Sequence, residues 1–379
     1  MTNIDLAYIQ RLIDDGVSEG SDIEYKSLIQ VENSRDKKEF LADVSSFANT
    51  SGGDLILGIE EEHGVPTKVL PLQIADVDLE LQRLDNLIRD GIRPRISYEI
   101  KVINVDAGKI LVIRIDRSWN APHRVVFEGW DKFFARNSAG KYQMDVDQLG
   151  ESFARSQGVT ERLRAFRNDR INAIGQNAMP FQIAQGGRII VHCIPVDAFA
   201  STRTYDVLRY EHDTIKLRPL VDVGGYFTRI TLEGIMSVSG QPWTSYMHLY
   251  RNGIIEGVDS RRLGQELNGS RKFSARRLEE AVLKFIPDCF GIYRSLEVRP
   301  PIVVAVTLVG VLGLENSRAG HDIDKDYYPI DRPALILPEI VVDSLDEKPA
   351  KLLKESFDLI WNACGRPHSP HFDENGDYK

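Results

Sequence analysis

Glu19-Gly20-Ser21-Asp22-Ile23-Glu24-Tyr25-Lys26 and Phe47-Ala48-Asn49-Thr50-Ser51-Gly52-Gly53-Asp54-Leu55-Ile56-Leu57-Gly58-Ile59-Glu60-Glu61 are the two stretches on which the fold turns. The first places two carboxylates five residues apart, at the mouth of a short strand over residues 24–28. The second reads as a helix end, a tight Gly52-Gly53 turn and a continuous apolar strand that closes on an acidic pair. Between them, Phe40, Leu41, Val44, Phe47 and Ala48 recur at i, i+1, i+4, i+7 and i+8, which predicts an amphipathic helix over residues 37–49. Phe47 belongs to its core face, and Asn49 is expected to cap it in the left-handed region. Carboxylates so arranged can hold a divalent cation against a phosphate. On spacing alone a solvated acidic surface is the commoner meaning.

Working outward, apolar residues at Ile4, Leu6, Ile9, Leu12 and Ile13 predict a first helix that stops at Gly16. A helix over 77–89 and a hairpin of 96–105 with 109–115 about Asp106-Ala107-Gly108 complete the order α-β-α-β-α-β-β, a mixed-sheet α/β domain. Residues 145–174 turn helical and basic (Arg155, Arg162, Arg164, Arg167, Arg170), reading either as a solvated face or as a nucleic-acid contact. Beyond them lie predicted strands at 188–195, 214–221, 227–231, 248–251 and 302–314, and helices at 274–285 and 350–362. An Asn252-Gly253 type I′ turn is expected between two of the strands. The expected division is a first domain over 1–155, a linker helix over 156–174, a second α/β domain over 175–365, and a polar, frayed tail over 366–379. No motif assigns a role to the second domain.

The first region resembles the Schlafen core, the AlbA-2 type domain also labelled a divergent ATPase or DNA-binding domain. The resemblance rests on E-x4-E-Y-K, then K-E-F-L-x-D-V-S-S-F-A-N-T-x-G-G-x-L-x-x-G-I-E-E, then Pro122-His123, Phe133 to Ser138 and Asp145 to Leu149, and it covers residues 5–150. It implies a prokaryotic Schlafen-like protein whose nuclease relatives cut structured RNA with three carboxylates and a metal ion. Carried over by position, Glu19, Glu24 and Glu60 or Glu61 would be the carboxylates, with Mg²⁺ or Mn²⁺ suited to an all-oxygen shell. Strand alternation favours Glu60 over Glu61 as the third metal ligand. Lys26, two residues after Glu24 on the same strand face, joins the catalytic set. Arg136 and Lys141, flanked by Phe133, Phe134 and Tyr142, are the expected phosphate contacts. The third acid is Glu where the family nucleases carry Asp, and Arg136-Asn137-Ser138 lacks the family's glycine.

The resemblance therefore implies a metal-dependent endoribonuclease on tRNA-like RNA, of the kind that serves as a bacterial defence or stress effector. The alternative is a regulator that binds DNA or RNA over an inactive acidic site. Since family nucleases pair two cores, a homodimer is also expected. With no G-x-x-x-x-G-K-S/T motif, ATP hydrolysis is not expected. Net charge of −9 over 379 residues means that nucleic acid must be met by local basic patches. Three dispersed cysteines argue against a zinc site or disulfide framework. The apolar run at 302–314 is too short to cross a bilayer, so the expected setting is the cytoplasm, with no membrane partner.

Overall fold

A computed structural model describes residues 4–178, 183–211, 216–222, 224–267, 270–317 and 328–379. The chain divides into two compact units, Met1–Val159 and Thr160–Lys379. In the first, α1 (Leu6–Asp14), β1 (Ile23–Lys26), α2 (Ser34–Asn49) and β2 (Gly52–Leu57) are followed by the short hairpin of β3 (Ile59–Glu62) and β4 (Val65–Val69). Then come α3 (Val77–Gly91), β5 (Ile92–Arg93), β6 (Tyr98–Val105), β7 (Gly108–Asp116), β8 (Arg124–Phe127), β9 (Trp130–Asn137) and β10 (Gly140–Gln143). A long helix, α4 (Val146–Gly175), contains the division between the units.

The first unit is α/β, as its pattern predicts. One sheet runs β1-β2-β7-β6, with β1 and β2 parallel and the other pairs antiparallel. Alternation sorts its side chains to two faces. Leu55, Leu57, Leu111 and Ile113 bury against Phe40, Leu41, Val44 and Phe47 of α2 and Leu84 and Ile88 of α3. Ile56, Ile110 and Val112 face the other way, with Tyr25 and with Ile9 and Leu12 of α1. A second sheet, β10-β9-β8-β5, also packs on α2. Asn33 starts α2 by accepting from the N–H groups of Arg35 and Asp36.

One expectation here is corrected. Asn49 is a buried tether: its side-chain amide donates to the carbonyls of His123 and Phe134, each at 2.8 Å, and its carbonyl accepts from His123 N–H. A buried amide so satisfied ties α2 to the second sheet. His123 is itself fully buried.

The second unit continues with β11 (Gly187–Pro195), α5 (Asp197–Ala200), β12 (Tyr226–Ile230), β13 (Gly234–Ser239), β14 (Ser245–Tyr250), β15 (Ile255–Leu267) and β16 (Ser270–Phe273). It ends with α6 (Ala275–Leu296), β17 (Ile302–Val309), β18 (Glu315–Asn316), β19 (Ala334–Ile336), β20 (Ile340–Val342) and α7 (Pro349–Ala363). One large sheet runs β12-β13-β14-β15-β11-β17-β19, and α6 and α7 pack on it through Phe285, Phe290, Phe357 and Ile360. It too is α/β.

Several boundaries differ from the sequence reading. The strand expected at 214–221 lies partly outside the described residues, and its described part forms no strand. Helix α6 runs on past Pro287 to Leu296, and β17 stops at Val309. Only Gly253 of the Asn252-Gly253 turn has positive φ, so the turn is not type I′. The tail is tied down: the buried Glu279 carboxylate accepts from Trp361 Nε1 at 2.7 Å and Tyr378 Oη at 3.2 Å, and meets His371 Nδ1 at 2.7 Å. In α4, Arg167 and Arg170 are committed to Glu339 and Glu256, which favours the bland reading of those two basic residues. Among the described residues no helix is long and apolar enough to cross a membrane.

Candidate functional site

The site is built where β1, α2 and the β9–β10 hairpin meet. Glu24 and Lys26 lie two apart on β1, so they share a face, and Lys26 Nζ stands 2.5 Å from Glu24 Oε1. Arg136 on β9 sits directly across from Lys141 on β10. Its guanidinium pairs with the other Glu24 oxygen through Nη2. Nη1 lies 3.6 Å from Asp43 Oδ1, Nε donates to Gly20 O at 3.3 Å, and the group rests 4.1 Å from the Phe47 ring centre. Lys141 Nζ completes the set at 2.9 Å from Asp43 and 2.8 Å from Glu39. The cluster is thus a buried acid, Asp43, and a half-buried one, Glu24, held by three cations.

Sequence reasoning missed Asp43. The signal for it was present: Glu39, Asp43, Ser46 and Thr50 recur at i, i+4, i+7 and i+11, a polar stripe along an otherwise apolar helix. Each member is used. Glu39 and Asp43 take Lys141, Ser46 Oγ accepts from Arg136, and Thr50 Oγ1 accepts from the Arg136 backbone N–H.

Burial alone would raise the Glu24 pKa, but hydrogen bonds and charge from Lys26 and Arg136 outweigh it, and the net shift is downward. Asp43 goes the other way: burial raises it, Lys141 lowers it and Glu24 raises it further. Burial lowers Lys26, yet Asp43, Glu24 and Glu19 more than restore it, leaving its pKa raised. Glu19 sits in the loop before β1, where its Oε1 accepts from Tyr25 N–H at 2.8 Å. Its pKa is raised, first by burial and then by the charges of Glu24 and Glu61.

Glu60 does not join this group. Gly58, at φ +100°, ends β2, and residues 59–62 leave the sheet to pair with β4. A register shift between Glu60 and Glu61 breaks the alternation on which the choice of Glu60 rested. Glu60 instead pairs with Lys68 across the hairpin at 2.7 Å and is 43% exposed. Glu61 is the acid that Glu19 senses. A second correction concerns Arg136: its side chain is 1% exposed, so it cannot meet a phosphate from solvent. Lys141 is partly accessible but shared between two acids.

The residues as placed do not fit a three-carboxylate cation centre. Glu24 commits both oxygens to cationic side chains, Glu19 Oε1 is taken by Tyr25 N–H, and Glu61 Oε2 accepts from Gly64 N–H at 2.6 Å. Among the described residues no group of three or more His, Cys, Asp or Glu side chains is placed to hold a metal ion. The donor set points instead to a fixed, internally neutralised charge cluster with Lys26, 41% exposed, at its rim.

No curated protein matches the chain. Solved structures with related coordinates include the DIP2311 protein from Corynebacterium diphtheriae, at 18% identity and TM-score 0.28, covering 39% of this chain and 27% of that one. Another is the N-terminal domain of an ATP-dependent DNA helicase RecG-related protein from Nitrosomonas europaea, at 23% identity and TM-score 0.22, covering 28% of this chain and 71% of that one. The model of the family described as Schlafen, AlbA_2 matches residues 19–145, a span that includes every residue of the charge cluster. The first unit of this chain carries a Schlafen, AlbA_2 domain.

Proposed function

We propose that the first unit binds nucleic acid, RNA in preference to DNA, over a charge-compensated acidic site that does no metal chemistry. The observation that carries this reading is the neutralisation of Glu24 by Lys26 and Arg136. An open carboxylate cluster would repel a phosphate backbone, whereas a neutralised one with an exposed ammonium at its rim accepts it. The family resemblance supplies the ligand class, by analogy. A basic and aromatic surface in the same unit adds support. Lys38 and Lys132 stand 5.4 and 5.0 Å from the Trp130 ring centre, and Phe134 stacks on that ring at 5.9 Å. Aromatic rings with adjacent ammonium groups suit unpaired bases and their phosphates.

The test is fluorescence anisotropy with a tRNA-like hairpin and a DNA duplex of matched length, in EDTA, over a salt series. The expected result is EDTA-resistant binding, tighter for RNA, with a negative salt slope that becomes shallower in Lys26→Gln and Lys132→Gln. Absence of binding to either ligand at low salt overturns the reading.

Metal-dependent endoribonuclease activity is the second reading, and one observation favours it. Glu19 is crowded by the like charges of Glu24 and Glu61, which is the electrostatic setting of a cation site. In its favour the same RNA would be cut when Mn²⁺ is added, and Glu24→Gln would stop the cutting.

A further inference from the structure

Strand β12 closes one end of the large sheet of the second unit. It pairs with β13 and, among the described residues, with no strand on its other side. The groups on that outer side follow from the hairpin. Thr231 N–H donates to Gly234 O at 2.9 Å, which makes 231 and 234 a hydrogen-bonded pair. Antiparallel pairs alternate, so the backbones of Phe227 and Arg229 turn toward β13, and those of Tyr226, Thr228 and Ile230 turn outward.

Sheet edges are commonly blunted by shortness, charge, proline or a bulge. Strands β19 and β20, on the far side of this sheet, are three residues each. At the edge of the first unit's sheet, β6 carries the solvent-facing pair of Glu99 and Lys101. Strand β12 lacks these devices: it has five residues, no proline, no bulge and a single charge, Arg229. Its apolar side chains are open to solvent, Phe227 at 46% and Ile230 at 45%, and Leu232 just beyond it is 88% exposed. Such an edge is a template for another strand.

We propose that β12 pairs with β12 of a second copy of this chain, antiparallel and centred on Thr228. In that register the strand is complementary to itself. Thr228 meets Thr228 of the second copy through the outward N–H and C=O groups of both. Arg229 stands across from Phe227 of the second copy, and Phe227 across from its Arg229, which sets a guanidinium beside an aromatic ring twice over. On the other face Tyr226 and Ile230 are paired in the same reciprocal way. Centring on Arg229 instead would oppose two arginines. Because both halves of each pair lie in one strand, a second copy fits this edge better than an unrelated peptide. A contact of this symmetry closes as a dimer. It is small, so the association is weak.

Sedimentation velocity of the full chain from about 5 to 300 μM tests this, with monomer expected at the low end and dimer at the high end. A monomer throughout overturns the proposal. Thr228→Pro removes the outward donor and spares the ladder to β13, and it should weaken association at least about tenfold. Phe227→Arg sets arginine against arginine and should do the same. Adding Arg229→Phe to it restores facing Arg and Phe in exchanged positions and should regain most of the lost affinity. Thermal unfolding at the lowest concentration, where each variant is monomeric, should match wild type. A dimer that persists undiminished in both Thr228→Pro and Phe227→Arg lies on another surface and overturns the proposal. Failure of the double variant to regain affinity overturns the register.

Discussion

Glu24 in the first unit and Glu256 in the second are both carboxylates held by an arginine inside a folded unit, and they do different things. Glu256 is wholly inaccessible. Arg170 donates to both its oxygens at 2.8 and 2.7 Å, Tyr246 Oη donates at 2.7 Å, and His192 Nε2 lies at 3.0 Å. Phe166 packs edge-on against His192 and Tyr250 above this network. Glu24 is 12% exposed, and one of its two cations, Lys26, reaches water. Burial and charge pairing alone therefore do not mark a site. A carboxylate met on both oxygens and closed over by aromatic rings anchors α4 to its sheet, whereas one with an exposed ammonium at its edge leaves charge facing solvent.

The largest effect expected from this contrast is in the closed network. Glu256→Gln leaves Arg170 buried without its counter-charge and should cost the second unit about 3–5 kcal/mol, read by urea denaturation. A loss as small as that of an exposed pair would erase the distinction. Next comes acid sensitivity. Burial holds His123 in the first unit and His248 in the second at pKa values of about 4. A histidine whose folded pKa is depressed binds its proton in the unfolded chain first. Each should therefore remove up to about 3 kcal/mol as pH falls from 6.5 through 4.

Raised acids oppose this in both units. Burial raises Asp43 and Glu19 in the first and takes Asp259 in the second to about 6, so their contributions are present at low pH and lost as pH rises. Hydrogen exchange followed segment by segment from pH 7 to 4 should thus show the segments around His123 and His248 loosening before those around Asp43 and Asp259. The reverse order would break this reading.

A smaller effect is expected at the open cluster. Glu24→Gln should cost about 1–3 kcal/mol, because Arg136 loses a buried partner while Lys26 can turn to water. Smallest of all, Glu60→Gln should leave stability and binding unchanged, since the Glu60–Lys68 pair lies on the hairpin surface. A marked loss there would restore Glu60 to the site.

How much of this was legible depended on the range of the signal. The amphipathic period of α2, the apolar run of β2 and the hairpin of β6 with β7 are local patterns, and each appears where expected. The pairing of Glu24 with Lys26 follows from strand alternation and was equally readable. For Arg136 the sequence suggests a phosphate contact; its burial depends on α2 closing over β9, a contact between distant segments that local patterns do not carry. Glu60 failed for a local reason: the Gly58 break and the register shift after Glu60 interrupt an alternation that the letters alone continue. Asp43 was readable as part of a helical polar stripe, but a polar residue on an apolar face has meaning only once its partners are known. In the second unit, the strands at 234–239 and 334–342 lie among Gly, Ser and Pro residues, which mask short extended segments.

The reading of the first unit turns on Glu24 being neutralised by Lys26 and Arg136 instead of ligating a metal ion. Electron paramagnetic resonance of Mn²⁺ titrated into the protein addresses it without reference to any activity. With Glu24 neutralised, no stoichiometric site is expected in the first unit, and the free-ion signal should be the same for wild type, Glu24→Gln and Glu61→Gln. One tightly bound Mn²⁺ per chain that is lost in Glu24→Gln would contradict it.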